Sequence, residues 1–247
     1  MFRKLPIAAL SVLGLSLVSA DLDVTSSVAD FDSASGVFTI DIESTDGRHS
    51  MAMYNLGGNR VNTHTVTLQT DGPFEPKFCH FKPMNSELYI QSGAKIVDSA
   101  TKKTYYCSYN GWLGHNADET VTISVLPAGK EYIVSVNTAD VPKAGRTGRL
   151  NMRLHGSTAS TSTESFFINV GDKDTEQLSF YSSDIGKFQS LYMYLDGEDA
   201  LKIDTLDIKS EGVDNPISFQ HDDWLNPNCP YIGHGASMSF IAPDYTN

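Results

Sequence analysis

Positive charge is scarce in this chain: 18 Lys and Arg stand against 30 Asp and Glu in 247 residues, a formal net charge of -12. A surface of that sign repels phosphate backbones, so nucleic acid is excluded as a partner class. Simple electrostatic docking on anionic lipid is disfavoured for the same reason. Cysteine is scarce too. Cys79, Cys107 and Cys229 show no Cys-x-x-Cys or Cys/His spacing of a structural zinc site. A Gly-x-Ser-x-Gly nucleophile elbow, a His-Glu-x-x-His zinc motif and an Asn-x-Ser/Thr acceptor are all missing. His234-Gly235-Ala236-Ser237 brings a histidine near a serine, but a triad is defined by geometry and a Gly-rich turn is the simpler reading. His64 and His80 stand in alternating segments and read as surface or packed residues, not metal ligands. The expectation is a protein that is not an enzyme, unless a catalytic site forms between domains.

What is present begins with Arg3 and Lys4, then the apolar run Leu5 to Val18 and the small residues Ser19 and Ala20. That pattern reads as a signal peptide over 1–20, cleaved after Ala20, in place of an uncleaved membrane anchor. Removing it takes away two positive charges, leaving the mature chain more acidic still. No later run is long and apolar enough to span a bilayer as a helix. The expected location is secreted, extracellular. An oxidising compartment favours cysteine pairing, and three cysteines leave one over.

Short alternating runs rich in β-branched and aromatic residues dominate the rest, among them Val37–Ile42, Thr63–Leu68, Thr120–Val125, Tyr132–Val136, Leu150–Leu154, Phe166–Val170, Leu191–Leu195 and Met238–Ile241. Gly, Asp, Asn, Pro and Ser clusters separate them, and no 3.6-residue period appears. The fold class is all-β, built as sandwich or barrel. The two halves also match in order. Gly36–Ile42 aligns with Ser165–Gly171, Leu56-Gly57 with Ile185-Gly186, and Leu68–Gly72 with Met193–Gly197. Phe78 and Phe81 then align with Ile203 and Leu206, Cys107–Leu113 with Phe219–Leu225, and Val121–Pro127 with Met238–Pro243. The offset falls from 129 at Gly57/Gly186 to 112 at Trp112/Trp224. Ordered matches of this kind mean tandem domains, with a boundary near Ala128-Gly129.

Residues 131–243 resemble the PLAT/LH2 (lipoxygenase homology) family, a β-sandwich appended to lipoxygenases and pancreatic-type lipases. The resemblance rests on Tyr132–Asp140, Ala144-Gly145 and Leu150–Gly156, then Asp184-Ile185-Gly186 with Leu191–Gly197. The spacing Leu201-x-Ile203-x-x-Leu206-x-Ile208 and the ending Phe219–Leu225 complete it. Leu201 stands where the family usually has Trp, and Ala139 where it has Gly. The resemblance implies two tandem antiparallel β-sandwiches, residues 21–127 and 130–243. Leu22-Asp23-Val24 aligns with Leu150-Asn151-Met152, so the first copy is expected to lack its first strand and to expose an unpaired edge.

By the same resemblance, calcium is a candidate ligand. Asn137, Asp140 and Asp184 occupy loops similar to those that hold Ca²⁺ in the family, and Asp196 and Asp199 lie in another turn. Thr147, with Arg146 beside it, stands where many relatives have Asp, and solvated turn acids are the alternative reading. Trp112 and Trp224, at matching positions, are expected to close the sandwich cores, against a membrane-inserting alternative. Phe74, with Pro73 beside it, Leu113 and Phe188 are the candidate exposed contacts to lipid or partner. Placed on this template, Cys79 and Cys107 lie in strands near enough to pair. Cys229 is then free or intermolecular. The function implied is a non-catalytic binding module for a lipid surface or a partner protein, with calcium assistance. The alternative is an extracellular structural or protein-interaction protein with no lipid role.

Overall fold

The computed structural model describes residues 20–29, 36–56, 62–84, 87–114, 120–126, 129–196, 200–213, 215–225 and 237–241. The signal-peptide assignment, Asp199 and Cys229 therefore lie outside the described residues. Among these residues there is no helix, only antiparallel sheet.

The first half runs β1 (Ala20–Ala29), β2 (Gly36–Ser44), β3 (His49–Leu56), β4 (Asn62–Thr70), β5 (Pro76–Pro83), β6 (Leu88–Asp98), β7 (Thr104–Cys107), β8 (Gly111–Leu113) and β9 (Val121–Ser124). The second runs β10 (Gly129–Thr138), β11 (Arg146–Gly156), β12 (Glu164–Val170), β13 (Thr175–Ser183), β14 (Phe188–Asp196), β15 (Leu201–Ser210), β16 (Ile217–Leu225) and β17 (Ser237–Ile241). The segments read as strands from alternation fall on β2, β4, β9, β10, β11, β12, β14 and β17. Alternation works because one face of each strand is buried: in β14, Leu191, Met193 and Leu195 point inward while Ser190, Tyr192 and Tyr194 point out.

Four sheets result, ordered β4-β1-β6-β7 (with β8 on β6), β3-β2-β5-β9, β13-β10-β15-β16 and β12-β11-β14-β17. The apolar inner faces form two separate cores. One, around Phe38, Ile40, Phe81 and Ile96, belongs wholly to the first half; the other, around Met152, Phe166, Phe180 and Leu206, belongs wholly to the second. Two sheets over one core is a sandwich, so the chain holds two of them.

Their topologies coincide, which corrects the expectation that the first copy lacks its first strand. In the first half β1 holds the place that β10 holds in the second, between β4 and β6 as β10 lies between β13 and β15. The ladders fix the correspondence residue by residue. Ile40 pairs with Ala52 and Phe81, as Met152 pairs with Glu164 and Met193. Val24 pairs with Val66 and Ile96, as Val134 pairs with Leu178 and Ile208. From β2 through β7 these equivalents sit a constant 112 positions apart, the separation also found between Trp112 and Trp224. The drifting offset of the sequence alignment came from matching β2 to β12, and β4 and β5 to β14 and β15, one strand too far along. Alternation has the same period in every strand, so pattern alone permits that slip. The first sandwich has no missing strand for another chain to supply.

Cys79 of β5 and Cys107 of β7 are joined in a disulfide that ties the two sheets of the first sandwich together inside its core.

Candidate functional site

Of the residues singled out for calcium, the four that are described, Asn137, Asp140, Asp184 and Asp196, do not come together. Asp140 follows the end of β10 and forms an ion pair with Lys173, Nζ to Oδ2 2.7 Å. Asn137 lies within β10, not in a loop. Its amide nitrogen donates to Thr205 Oγ1 at 2.8 Å and its oxygen accepts from Thr175 Oγ1 at 2.7 Å. Asp184 follows β13 and pairs with Lys130 at 2.8 Å. Gly129 faces Ser183 and Asn137 faces Thr175 in the β10–β13 ladder, so Asp184 and Asp140 stand at opposite ends of the sandwich. Asp196 closes β14 and accepts from Asn151 Nδ2 at 3.0 Å. Among the described residues no three His, Cys, Asp or Glu side chains surround a common point.

The loop end near Asp140 is organised instead by Asp172, whose carboxylate accepts from the backbone N–H groups of Gly145 at 2.8 Å and Lys143 at 3.0 Å. The Gly145 contact first, helped by Lys143 and Ala144, holds the Asp172 carboxyl below its ordinary range. Because that value is lowered in the folded state, the tether is complete above the ordinary carboxylate pKa and is lost as pH falls through the lowered one. Protection factors of the Gly145 and Lys143 amides, corrected for the intrinsic pH dependence of exchange, are expected to fall in that acid window and to be unchanged near neutrality.

The aromatic and apolar assignments change as well. Phe74 is 4% exposed and Leu113 1% exposed; both are in the first core, so neither reaches a bilayer or partner. Arg48 roofs Phe74, its guanidinium 5.5 Å from the ring while it donates to the carbonyls of Asp71 and Pro73. Phe188 is half-buried and packs on the second core. Trp112 and Trp224, expected inside, are 39% and 37% exposed. Each is followed by a buried leucine, Leu113 or Leu225, and strand alternation sends the preceding ring to the outer face. Trp224 lies beside Lys202, whose ammonium is 6.0 Å from the ring centre.

Trp112 instead meets the second sandwich. Its ring packs edge-on against Tyr89 at 5.6 Å and Phe167 at 6.0 Å, and Tyr89 meets Phe167 at 5.2 Å. Around this cluster Tyr89 OH donates to the Ser165 carbonyl, and Asn110 Nδ2 to Glu164 Oε2 at 2.5 Å. Lys95 pairs with Glu131 at 3.1 Å, and Tyr106 OH donates to Glu211 Oε2 at 2.5 Å. Burial pushes the Tyr89 hydroxyl up to about 12. Trp112→Ala removes edge-to-face contacts of the kind that contribute about 0.5–1.5 kcal/mol each. Its expected effect is a larger radius of gyration by solution scattering, with the strand content of both sandwiches unchanged by circular dichroism.

Next to that junction, the outer face of β12-β11-β14 carries a row of Tyr and Arg. Tyr192 and Tyr194 point outward from β14 with ring centres 5.8 Å apart. Across the ladder Arg153 faces Tyr192 and Asn151 faces Tyr194. Arg153 is exposed. Arg149 lies over Phe167, 5.1 Å from the ring centre, and 4.0 Å from the Asp196 carboxylate. The face thus runs from Trp112 through Phe167 and Arg149 to Tyr194, Tyr192 and Arg153. Sequence reasoning passed over it because alternation marks these positions only as outward-facing.

No family model matches the chain, and no curated protein matches it. Among solved structures it is similar to a deletion variant of a lipoxygenase at 20% identity, covering 47% of this chain and 16% of that one with a TM-score of 0.40. It is also similar to a coral 8R-lipoxygenase, described as activated by calcium through a C2-like domain, at 22% identity, covering 45% and 17% with a TM-score of 0.38. The chain spans less than a fifth of the length of either lipoxygenase.

Proposed function

We propose that this chain is a secreted, non-catalytic binding module that engages a partner protein through the outer face of β12-β11-β14. The observation that carries the reading is the side-by-side display of exposed Arg153 with half-buried Tyr192 and Tyr194 on one sheet face, continuous with Phe167 and Trp112. Tyr, Trp and Arg are the residues in which protein interfaces concentrate their binding energy. Lipid is the weaker partner class. Phe74 and Leu113, which would enter a bilayer, are buried, and the net charge opposes anionic headgroups. A second reading, calcium-assisted contact with lipid, is supported by Val141, exposed in the loop that carries Asp140.

The test uses the full-length protein in two assays. Capture from native extracellular fluid is compared with the variant carrying Arg153→Glu and Tyr192→Ala, and flotation uses phosphatidylcholine/phosphatidylserine vesicles with and without Ca²⁺. The expected result is capture that weakens roughly 30-fold or more in the variant, the cost of a lost hot spot of about 2 kcal/mol, with no flotation. Flotation that needs Ca²⁺ and survives both substitutions would establish the lipid reading instead.

A further inference from the structure

On the opposite side of the molecule's first half, the outer face of β3-β2-β5 gathers two histidines and two carboxylates on three neighbouring strands. We propose that this face binds one divalent transition-metal ion, of the Zn²⁺ or Cu²⁺ type, through His49, His80, Asp41 and Glu43. The site is separate from the Tyr/Arg face and does not rest on the partner-binding reading.

The ladders place the four groups together. Glu43 pairs with His49 on one side and Phe78 on the other; Asp41 pairs with Met51 and with His80. The side chains then cross diagonally. His49 Nδ1 lies 2.9 Å from Asp41 Oδ2, and His80 Nε2 lies 3.3 Å from Glu43 Oε2. The two imidazole rings face each other with centres 6.1 Å apart and planes 25° from parallel. A tetrahedral ion with bonds of about 2.0–2.2 Å holds its ligand atoms about 3.3 Å apart, close to both nitrogen–oxygen separations seen here. Two imidazoles on one such ion keep ring centres about 5 Å apart and hold the ion in both ring planes, so closure needs a shift of about 1 Å together with a turn of the two facing rings. In the arrangement described no three of these groups converge on one point, and each histidine is paired with a carboxylate. The required shift falls on side chains that are 21–52% exposed, not on the backbone.

Three further features favour a cation there. Asp41 Oδ1 is buried without any hydrogen-bond partner, an arrangement that costs free energy unless a ligand relieves it. The site carries two carboxylates, so a bound dication offsets the charge of the acids. His80 Nδ1 lies 2.9 Å from Thr122 Oγ1 on β9, the outer hydrogen bond that orients a ligating histidine. In the loaded site His80 keeps its proton on Nδ1, donated to Thr122, and presents Nε2 to the ion. His49 turns Nδ1 to the ion and keeps its proton on Nε2. Imidazole with carboxylate suits zinc and copper better than calcium, which takes oxygen ligands in greater number.

The experiment is calorimetric titration of the full-length protein with Zn²⁺ and separately with Cu²⁺, together with electron paramagnetic resonance of the Cu²⁺ form. One equivalent is expected to bind, with two nitrogens coupled to Cu²⁺. His49→Ala and His80→Ala each weaken binding by at least roughly 100-fold and leave one coupled nitrogen, whereas Thr122→Ala costs only roughly 10–100-fold. Asp41→Asn, which keeps the side chain's shape and removes its charge, is expected to weaken binding while leaving two nitrogens coupled, and all variants are checked by thermal melting. His155→Ala, outside the site, is the control. No stoichiometric binding, or binding that His49→Ala and His80→Ala leave unchanged while His155→Ala removes it, overturns the proposal.

Discussion

Gly93→Ala is expected to destabilise the first sandwich by about 2–4 kcal/mol. Ser92 and Gly93 both adopt the left-handed region, with φ of 75° and 79°, where β6 bulges and its register against β1 jumps. Alanine there carries the ordinary cost of positive φ, on the order of 1 kcal/mol. The larger part is steric. A Cβ on Gly93 would lie 2.1 Å from the Cys107 carbonyl oxygen and 2.6 Å from the Tyr109 nitrogen, both backbone atoms with no rotamer to yield. Any relaxation must move β7 and the disulfide it carries. The bulge also aims Ser92 at the second sandwich, where its hydroxyl donates to the Ser179 carbonyl. Urea unfolding of the intact chain should show an earlier first transition and loss of the docked state. A change below about 1 kcal/mol would contradict the described packing of β6 on β7.

Removing the disulfide with Cys79→Ala and Cys107→Ala is expected to cost the first sandwich about 3.5 kcal/mol through loop-closure entropy, given the 28-residue separation. The second sandwich has no equivalent bridge among its described residues. By the repeat correspondence its matching positions are Leu191 and Phe219, and Leu191 is fully buried in an apolar core. The two-cysteine variant should therefore unfold in two resolved steps, the first shifted to lower denaturant and the second unmoved. A single shifted transition would mean that the junction around Trp112 couples the two cores too strongly for them to unfold apart.

Fold class was legible because burial on one face imposes a period of two, and stretches such as Val37–Ile42 and Leu191–Leu195 carry it plainly. Strand β1 was harder to place. Its Thr25, Ser26 and Ser27 interrupt the apolar positions, since Ser26 is buried by donating to the Gly93 carbonyl at 2.7 Å and not by apolar packing. Without β1 in its place, every early match slid by one strand, and a complete sandwich read as a truncated one. The tryptophans were misplaced by a related ambiguity. Trp112-Leu113 and Trp224-Leu225 each offer two apolar neighbours, and a shift of one residue decides which is inside. The candidate binding face was invisible for a different reason: Tyr192, Arg153 and Phe167 come from three strands, and only the ladder brings them together.

The proposed reading puts binding on a sheet face rather than on loop tips, in keeping with the burial of Phe74 and Leu113. The most direct measurement places a photo-crosslinking amino acid at Tyr192 of the full-length protein, and separately at Ser218, which points outward from β16 on the opposite sheet. Both forms are irradiated in native extracellular fluid. The account predicts a discrete protein adduct from position 192 and none from position 218. Adducts from position 218 alone, or from both positions equally, would contradict it.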